Sequence, residues 1–276
     1  MRNACIVLVL LGLAACSRPA SYVPDGATAY DLRTGKELSA RKAAKADGFY
    51  GTLREEGQSI SFVRYRPEAF ETTVVTAAGE QADSTGALCL RHNAVAGING
   101  SYFDMEGLTA STLVKDDGFV TDTTVAAEVF RTNGAVVLNP GNVRIEACDT
   151  TERYTLDWEA LAGGPVLMTG GTAFDYAGQG DFFDSRHPRS LIGKDADGDV
   201  WLVVVDGRAP GNAEGMTIPE LTALAGRLGL TEALNLDGGG SSTLWTLPAG
   251  VLNHPSDNLR FDHEGQRVVP NAIVVK

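Results

Sequence analysis

The chain has 276 residues, 43% of them hydrophobic and 21% charged, enough to bury the core of one large domain or two small ones. Its net charge of −12 and the lack of any lysine or arginine run exclude a nucleic-acid partner, because phosphate backbones require a concentrated basic surface.

Met1-Arg2 opens the chain with a positive charge, and the apolar stretch from Ile6 to Leu13 is too short to span a bilayer as a mature helix. Leu13-Ala14-Ala15-Cys16 then reads as a bacterial lipobox, with residues 1–15 as signal peptide and Cys16 as the lipidated residue. The alternative is an ordinary secretory signal. Ser17, standing where an aspartate would favour inner-membrane retention, favours attachment to the outer membrane. Residues 16–47 read as a lipid-anchored tether with a short helix from Ser39 to Ala46, and residues 48–276 as the folded domain. Cys89 and Cys148 remain in the mature body. Export permits a disulfide between them, and two buried free thiols fit equally well. No His/Cys cluster supports zinc.

Strands are expected at Ile60 to Tyr65, Thr72 to Ala77, Val95 to Ile98, Val125 to Arg131, Ala135 to Leu138 and Val143 to Glu146. Further on, Ser190 to Gly193 and Val200 to Val205 flank Asp197-Gly198, a hairpin signal. Thr217-Ile218-Pro219-Glu220 is a capping box, followed by apolar residues at helical spacing and a stop at Gly229. Ala233 to Leu236 is the next strand. The expectation is therefore an α+β fold: a single globular domain with a mixed β-sheet and one βαβ unit near the C-terminus. If its two strands are parallel neighbours, Asp206 and Asp237 emerge at the same sheet edge, where α/β proteins place ligands.

The most informative stretch is Asn235-Leu236-Asp237-Gly238-Gly239-Gly240-Ser241-Ser242. An acid at the end of a buried strand, followed by glycines that allow close backbone approach, suits an anion site. The bland alternative is a sharp turn capped by Asp and Ser. Asn99-Gly100-Ser101-Tyr102-Phe103-Asp104 repeats the strand-then-polar-loop pattern; it supplies Asn99 to orient a ligand and Asp104 as a third acid, or else is a simple Asn-Gly turn. Arg189, in His187-Pro188-Arg189-Ser190, suits a phosphate or a structural pairing with Asp206 or Asp237. Gly163-Gly164-Pro165 reads as a structural close approach beneath the site. Asp195-Ala196-Asp197-Gly198-Asp199 begins like a calcium loop, but its glycine comes one residue early. Neither a G-x-S-x-G elbow nor a nucleotide-binding glycine motif is present.

Together these segments resemble the phosphodiester glycosidase family. The matching pieces are Asn99 to Asp104, Gly163-Gly164-Pro165, Pro188 to Gly193, Val205-Asp206-Gly207-Arg208 and Gly215 to Leu221. Asn235 to Ser242, Asn253-His254-Pro255-Ser256, Arg267 and Asn271-Ala272 complete the set. Ser190 stands where threonine is expected, and Val268 where proline often follows the arginine. The resemblance implies hydrolysis of a sugar-1-phosphodiester; with the export signal, the expected substrates are envelope or extracellular glycans, with no cofactor expected and a divalent cation left open. Asp237 is the expected lead carboxylate and Asp206 its partner, with Asp104 as a third candidate. Arg189, Gly238, Gly239, Gly240, Ser241 and Ser242 would hold phosphate, and Asn99 and Asn235 would orient substrate. One rival reading is a metal-assisted phosphodiesterase using a divalent cation on Asp206, Asp237 and Asp104. The other is a glycan-binding envelope lipoprotein without catalysis. The anchoring reading predicts that Cys16→Ala yields an unlipidated precursor; unchanged fatty-acid labelling of that variant overturns it.

Overall fold

Alternating side chains build the central sheet of the computed structural model, which describes residues 23–55, 57–77, 82–147 and 157–276. Every position of Val200–Val205 is buried. Val200, Leu202 and Val204 point into one core, and Trp201, Val203 and Val205 into a second on the opposite face. The second core is roofed by the helix Ile218–Arg227 through Ile218, Leu221, Leu224 and Ala225. Its capping box is formed: the Thr217 hydroxyl accepts from the Glu220 N–H at 3.2 Å, and Glu220 accepts from the Thr217 N–H at 2.9 Å.

This sheet has nine strands. In spatial order they are Thr172–Ala173, Val166–Thr169, Leu230–Asn235, Arg189–Asp195, Val200–Val205, Gln58–Tyr65, Gly48–Glu55, Thr28–Asp31 and Glu37–Leu38. One five-stranded sheet runs Gly250–Val251, Leu244–Thr246, Ala96–Asn99, Asn271–Val275, Thr72–Thr76. The other runs Asn142–Ala147, Gly134–Asn139, Glu159–Gly163, Val114–Asp116, Phe119–Asp122. These three sheets contribute to the first core, through Leu202, Ile273 and Val136 among others, and a fourth sheet pairs Val268–Val269 with Asp83–Ser84.

The expected mixed sheet with a βαβ unit is not what forms. All strand pairs flanking the helix are antiparallel, as are the other pairings between the described strands. The Asp197-Gly198 hairpin lays Arg189–Asp195 beside Val200–Val205, with Leu191 opposite Val203, and the same strand pairs with Leu230–Asn235 on its other side. The two strands joined by the helix are thus parallel but separated by one antiparallel strand. Their C-terminal ends still reach one sheet edge, and the N-terminal Arg189 of the intervening strand reaches it too.

Two other expectations change. Val125 to Arg131 is not a strand; it contains a 3-10 turn, Ala126–Glu128, with Val125, Val129 and Phe130 exposed. Among the described residues no partner strand covers those side chains. The segment expected to be a tether is structured well before Gly48: Thr28–Asp31 pairs with Gly48–Glu55, and Leu32 and Ala43 are fully buried. The helix there is Ala40–Ala43. Cys89 is buried in the helix Thr85–Arg91, whereas Cys148 and the signal and lipobox residues lie outside the described residues. Among the described residues no helix is long and apolar enough to cross a membrane. Because Leu32 belongs to the core, Leu32→Ala is expected to cost about 3 kcal/mol in urea unfolding; a residue in a tether would cost nothing measurable.

Candidate active site

At the sheet edge a cleft of about 260 Å³ is lined by four arginines, Arg131, Arg189, Arg208 and Arg267, together with His187, Tyr102, Phe182 and a single acid, Asp237. A larger cavity of about 500 Å³ elsewhere has only Asp122 as a titratable lining residue. The convergence of charge, rather than size, therefore selects the smaller cleft. Four cationic side chains meeting in a chain of net charge −12 mark a place built for an anion.

The strand Leu230–Asn235 delivers Asp237, and its backbone is pinned by the end of the strand Ala96–Asn99. The Asp237 N–H donates to the Gly100 carbonyl at 3.2 Å, and its carbonyl accepts from the Asn99 amide at 2.8 Å. Its Oδ1 accepts from the Gly238 N–H at 2.9 Å. The carboxyl is half-buried. Burial pushes its pKa up to about 6, against the opposing pull of the nearby Ser241 hydroxyl, the Gly238 N–H and Arg131.

Arg189 is only 2% exposed, yet it pairs with no acid among the described residues. Its Nε donates to the Met216 carbonyl at 2.9 Å, and one terminal nitrogen donates to the carbonyls of Phe182 and Ser185 at 2.8 and 3.0 Å. Neutral acceptors fix the guanidinium without cancelling its charge. Burial, with Arg208 and Arg131 nearby, lowers its pKa to about 10, so it remains cationic at neutral pH. Arg131 stacks over the Tyr102 ring at 3.9 Å and pairs with Glu128. Arg267 donates to Asp257 at 3.0 Å. Arg208 is exposed and also pairs with no acid among the described residues. His187 is held below its usual pKa by burial and by Arg189 and Arg208, so it is neutral at pH 7.

Asp206 differs from Asp237. It is 1% exposed, and both its oxygens are occupied: Oδ1 accepts from the Asn253 amide at 3.1 Å and the His254 N–H at 2.8 Å. Its Oδ2 accepts from the Ser59 hydroxyl at 2.8 Å and lies 2.9 Å from the His254 ring Nδ1. This carboxylate orients His254 and does not line the cleft. Asp104 lies in an exposed turn, accepting from the Gly107 N–H at 2.8 Å, also outside the cleft. The three acids of the metal reading are therefore not gathered. Among the described residues the cluster of acids with converging oxygens is Asp195, Asp197 and Asp199 at a hairpin tip, where Asp195 accepts from the N–H groups of the other two.

Asn99 and Asn235 are both buried behind the cleft. Asn235 donates to the Tyr102 hydroxyl at 2.9 Å and the Gly164 carbonyl at 2.8 Å, so each asparagine braces the site from within. Tyr102 in turn donates to Gly164 at 2.7 Å, placing Gly163-Gly164-Pro165 as structural support. Gly238, Gly239 and Gly240 do line the cleft. The Gly238 amide is committed to Asp237, and the Gly239 amide donates to the Pro188 carbonyl at 2.9 Å. Gly239 has φ +61°, and a Cβ there would stand 2.9 Å from Arg208. The glycines thus bring guanidinium groups close, more than they offer a nest of free amides. Ser241 and Ser242 are buried behind the turn.

Residues 92–276 match the phosphodiester glycosidase family. The chain belongs to that family. Membership in the phosphodiester glycosidases implies a hydrolase acting on phosphodiester glycosides. No curated protein matches. Among solved structures, the zebrafish N-acetylglucosamine-1-phosphodiester alpha-N-acetylglucosaminidase catalytic domain, auto-inhibited by its pro-peptide, is similar at 16% identity and a TM-score of 0.64, over 83% of this chain and 81% of that one. A hypothetical protein from Synechocystis is similar at 16% identity and a TM-score of 0.66, over 83% of this chain. The match spans 62% of the Synechocystis protein's length. At these identities the likeness concerns the fold.

Among the residues lining the cleft, sequence reasoning missed the site roles of Arg131, Tyr102, Phe182, His187, Arg208 and Arg267. Arg131 lay in a stretch read as strand. The raised pKa of Asp237 carries a stability prediction. The folded state holds this proton up to about pH 6, whereas the ordinary carboxyl value is 3.8. Ionisation therefore costs stability, with no cost below the ordinary value and the full cost once pH has risen through about 6. Asp237→Asn is expected to raise Tm relative to the parent at pH 7.5, with the difference vanishing near pH 3.5, as calorimetry across that range would show.

Proposed function

We propose that this protein hydrolyses the bond between the anomeric carbon of a sugar and phosphate in glycan sugar-1-phosphodiesters, with the arginine-lined cleft as its site. The observation that carries this reading is the meeting of Arg189 and Arg208, which pair with no acid among the described residues, with the single acid Asp237. Phosphate leaves as a stable anion, so the cleft needs cations more than it needs a second carboxyl to protonate the leaving group. That accounts for one acid facing four arginines.

Asp237 acts as general base. A water adds its oxygen to the anomeric carbon and passes a proton to the Asp237 carboxylate. The C1–O bond breaks, and its electron pair stays on the phosphate oxygen. The products are a sugar with a hydroxyl at C1 and a phosphomonoester. Arg189, with its orientation set by three carbonyls, meets the developing charge, and Arg131 and Arg267 widen the positive field. His187, neutral beside two arginines, supplies a hydrogen-bonding group without adding charge. Asp206 is a positioning residue, acting through His254. The reading also places the protein in the bacterial envelope, anchored by a lipid on Cys16, on the strength of Leu13-Ala14-Ala15-Cys16.

Hydrolysis of a sugar-1-phosphodiester in isotopically labelled water tests the bond assignment. Label is expected on the sugar; label on the phosphate would mean P–O cleavage and would end this reading. Asp237→Asn is expected to lower turnover by about a hundredfold or more while remaining folded. In the parent, kcat/KM is expected to fall about tenfold per pH unit below about 6, as Asp237 takes up its proton.

A further inference from the structure

Arg208 borders two cavities. One is the cleft that holds Asp237. The other, of about 170 Å³, is lined by Asn212, His254, Arg260 and Phe261 together with Gly207 and Arg208. Among the described residues Arg208 is the one lining both. Its backbone lies at φ +59°, a conformation that side chains other than glycine rarely take. Such a backbone persists only where its surroundings enforce it, and these do so. The preceding Gly207 is wedged where a Cβ would stand 2.7 Å from the Pro188 nitrogen and 2.9 Å from the Gly215 Cα. On the other side the guanidinium packs over Gly239. The molecule thus places, between two chambers, a cation that pairs with no acid among the described residues.

The second chamber is also built. The His254 ring is set by Asp206 at 2.9 Å and stacks face to face on Phe261, with centroids 3.8 Å apart and planes at 5°. Arg54 lies over the outer face of the same cluster, 5.1 Å from the Phe261 centroid. The stacked His254 and Phe261 rings stand in the lining beside the hydrogen-bonding side chains of Asn212 and Arg260, a composition that suits a polyhydroxylated ligand.

A phosphodiester carries two organic groups on one phosphorus atom, so its site must provide two chambers flanking one anion position. We infer that Arg208 holds the phosphate between the chambers, and that the His254 and Phe261 chamber takes the alcohol esterified on the far side of the phosphate from the scissile bond: a second sugar or another polyhydroxy alcohol. This rests on the proposed hydrolase reading and makes the enzyme selective for true diesters with a polar aglycone. His254 and Asp206 then serve aglycone recognition, and Asp237 serves bond cleavage.

The test compares two sugar-1-phosphodiesters of the same sugar, one with methanol and one with a hexose as the far alcohol, in the full-length protein. Asn212→Trp fills the chamber from an exposed loop, and Arg260→Ala removes a donor from its opposite wall. For each variant, kcat/KM on the hexosyl diester is expected to fall at least tenfold further than on the methyl diester. Arg208→Ala is expected to raise KM for both diesters alike. Equal losses on the two diesters in both chamber variants, or no loss on either, overturn the assignment while leaving the hydrolase reading intact. Failure of the unaltered protein to cleave either diester overturns the hydrolase reading, and the chamber assignment falls with it.

Discussion

The cleft depends on one buried amide. Asn99 leaves the strand Ala96–Asn99 at 0% exposure and makes three side-chain hydrogen bonds, each to a different segment. It donates to the Asp237 carbonyl at 2.8 Å, accepts from the Ser190 hydroxyl at 2.8 Å, and accepts from the Thr243 N–H at 3.1 Å. Asp237 and Ser190 follow or sit in strands of the nine-stranded sheet, while Thr243 leads into a strand of a five-stranded one. A single side chain thus sets the distance between two sheets at the edge where the carboxyl projects. Aspartate could not replace it, because the carbonyl of Asp237 needs a donor. Ser190, the departure from the threonine expected there, keeps the hydroxyl this arrangement uses.

Around that brace, two aspartates of similar chain position acquire opposite characters. Asp206 meets four donors from Ser59, Asn253 and His254, so its charge is spent on internal order. Asp237 meets one backbone N–H at 2.9 Å and is partly desolvated, so its proton is held more tightly and its carboxyl stays available. The arginines divide in the same way. Arg131 and Arg267 are paired with Glu128 and Asp257, whereas Arg189 is held by carbonyls and keeps its charge for a ligand. The cleft is therefore graded: Arg131 and Arg267, whose charges act on Asp237, are partly neutralised, whereas Arg189 and Arg208 pair with no acid among the described residues.

Much of the fold was legible because local rules govern it. The apolar run Val200 to Val205, the hairpin at Asp197-Gly198 and the Thr217 capping box all form as read, since each rests on residues a few positions apart. The stretch around Arg131 was misread because apolar content alone does not say whether a partner strand exists. The start of the domain was misread because Thr28–Asp31 is stabilised by pairing with Gly48–Glu55, a contact its own polar composition does not announce.

The sequence by itself determined several of the strands, among them Val200–Val205, and the capped helix. It also determined that acids and glycines would stand at strand ends, because side-chain periodicity and capping are short-range effects. Only the tertiary structure decided which of those residues face a ligand. Asp237 opens into the cleft while Asp206, Asn99 and Asn235 turn inward, because their hydrogen-bond partners come from distant points of the chain. The Asn253 and His254 donors to Asp206 lie 47 and 48 residues away, and Asn99 reaches Asp237 across 138. Arg189 likewise reached the sheet edge between the two acids only because its strand inserts antiparallel between theirs, a pairing set by long-range register rather than by local pattern.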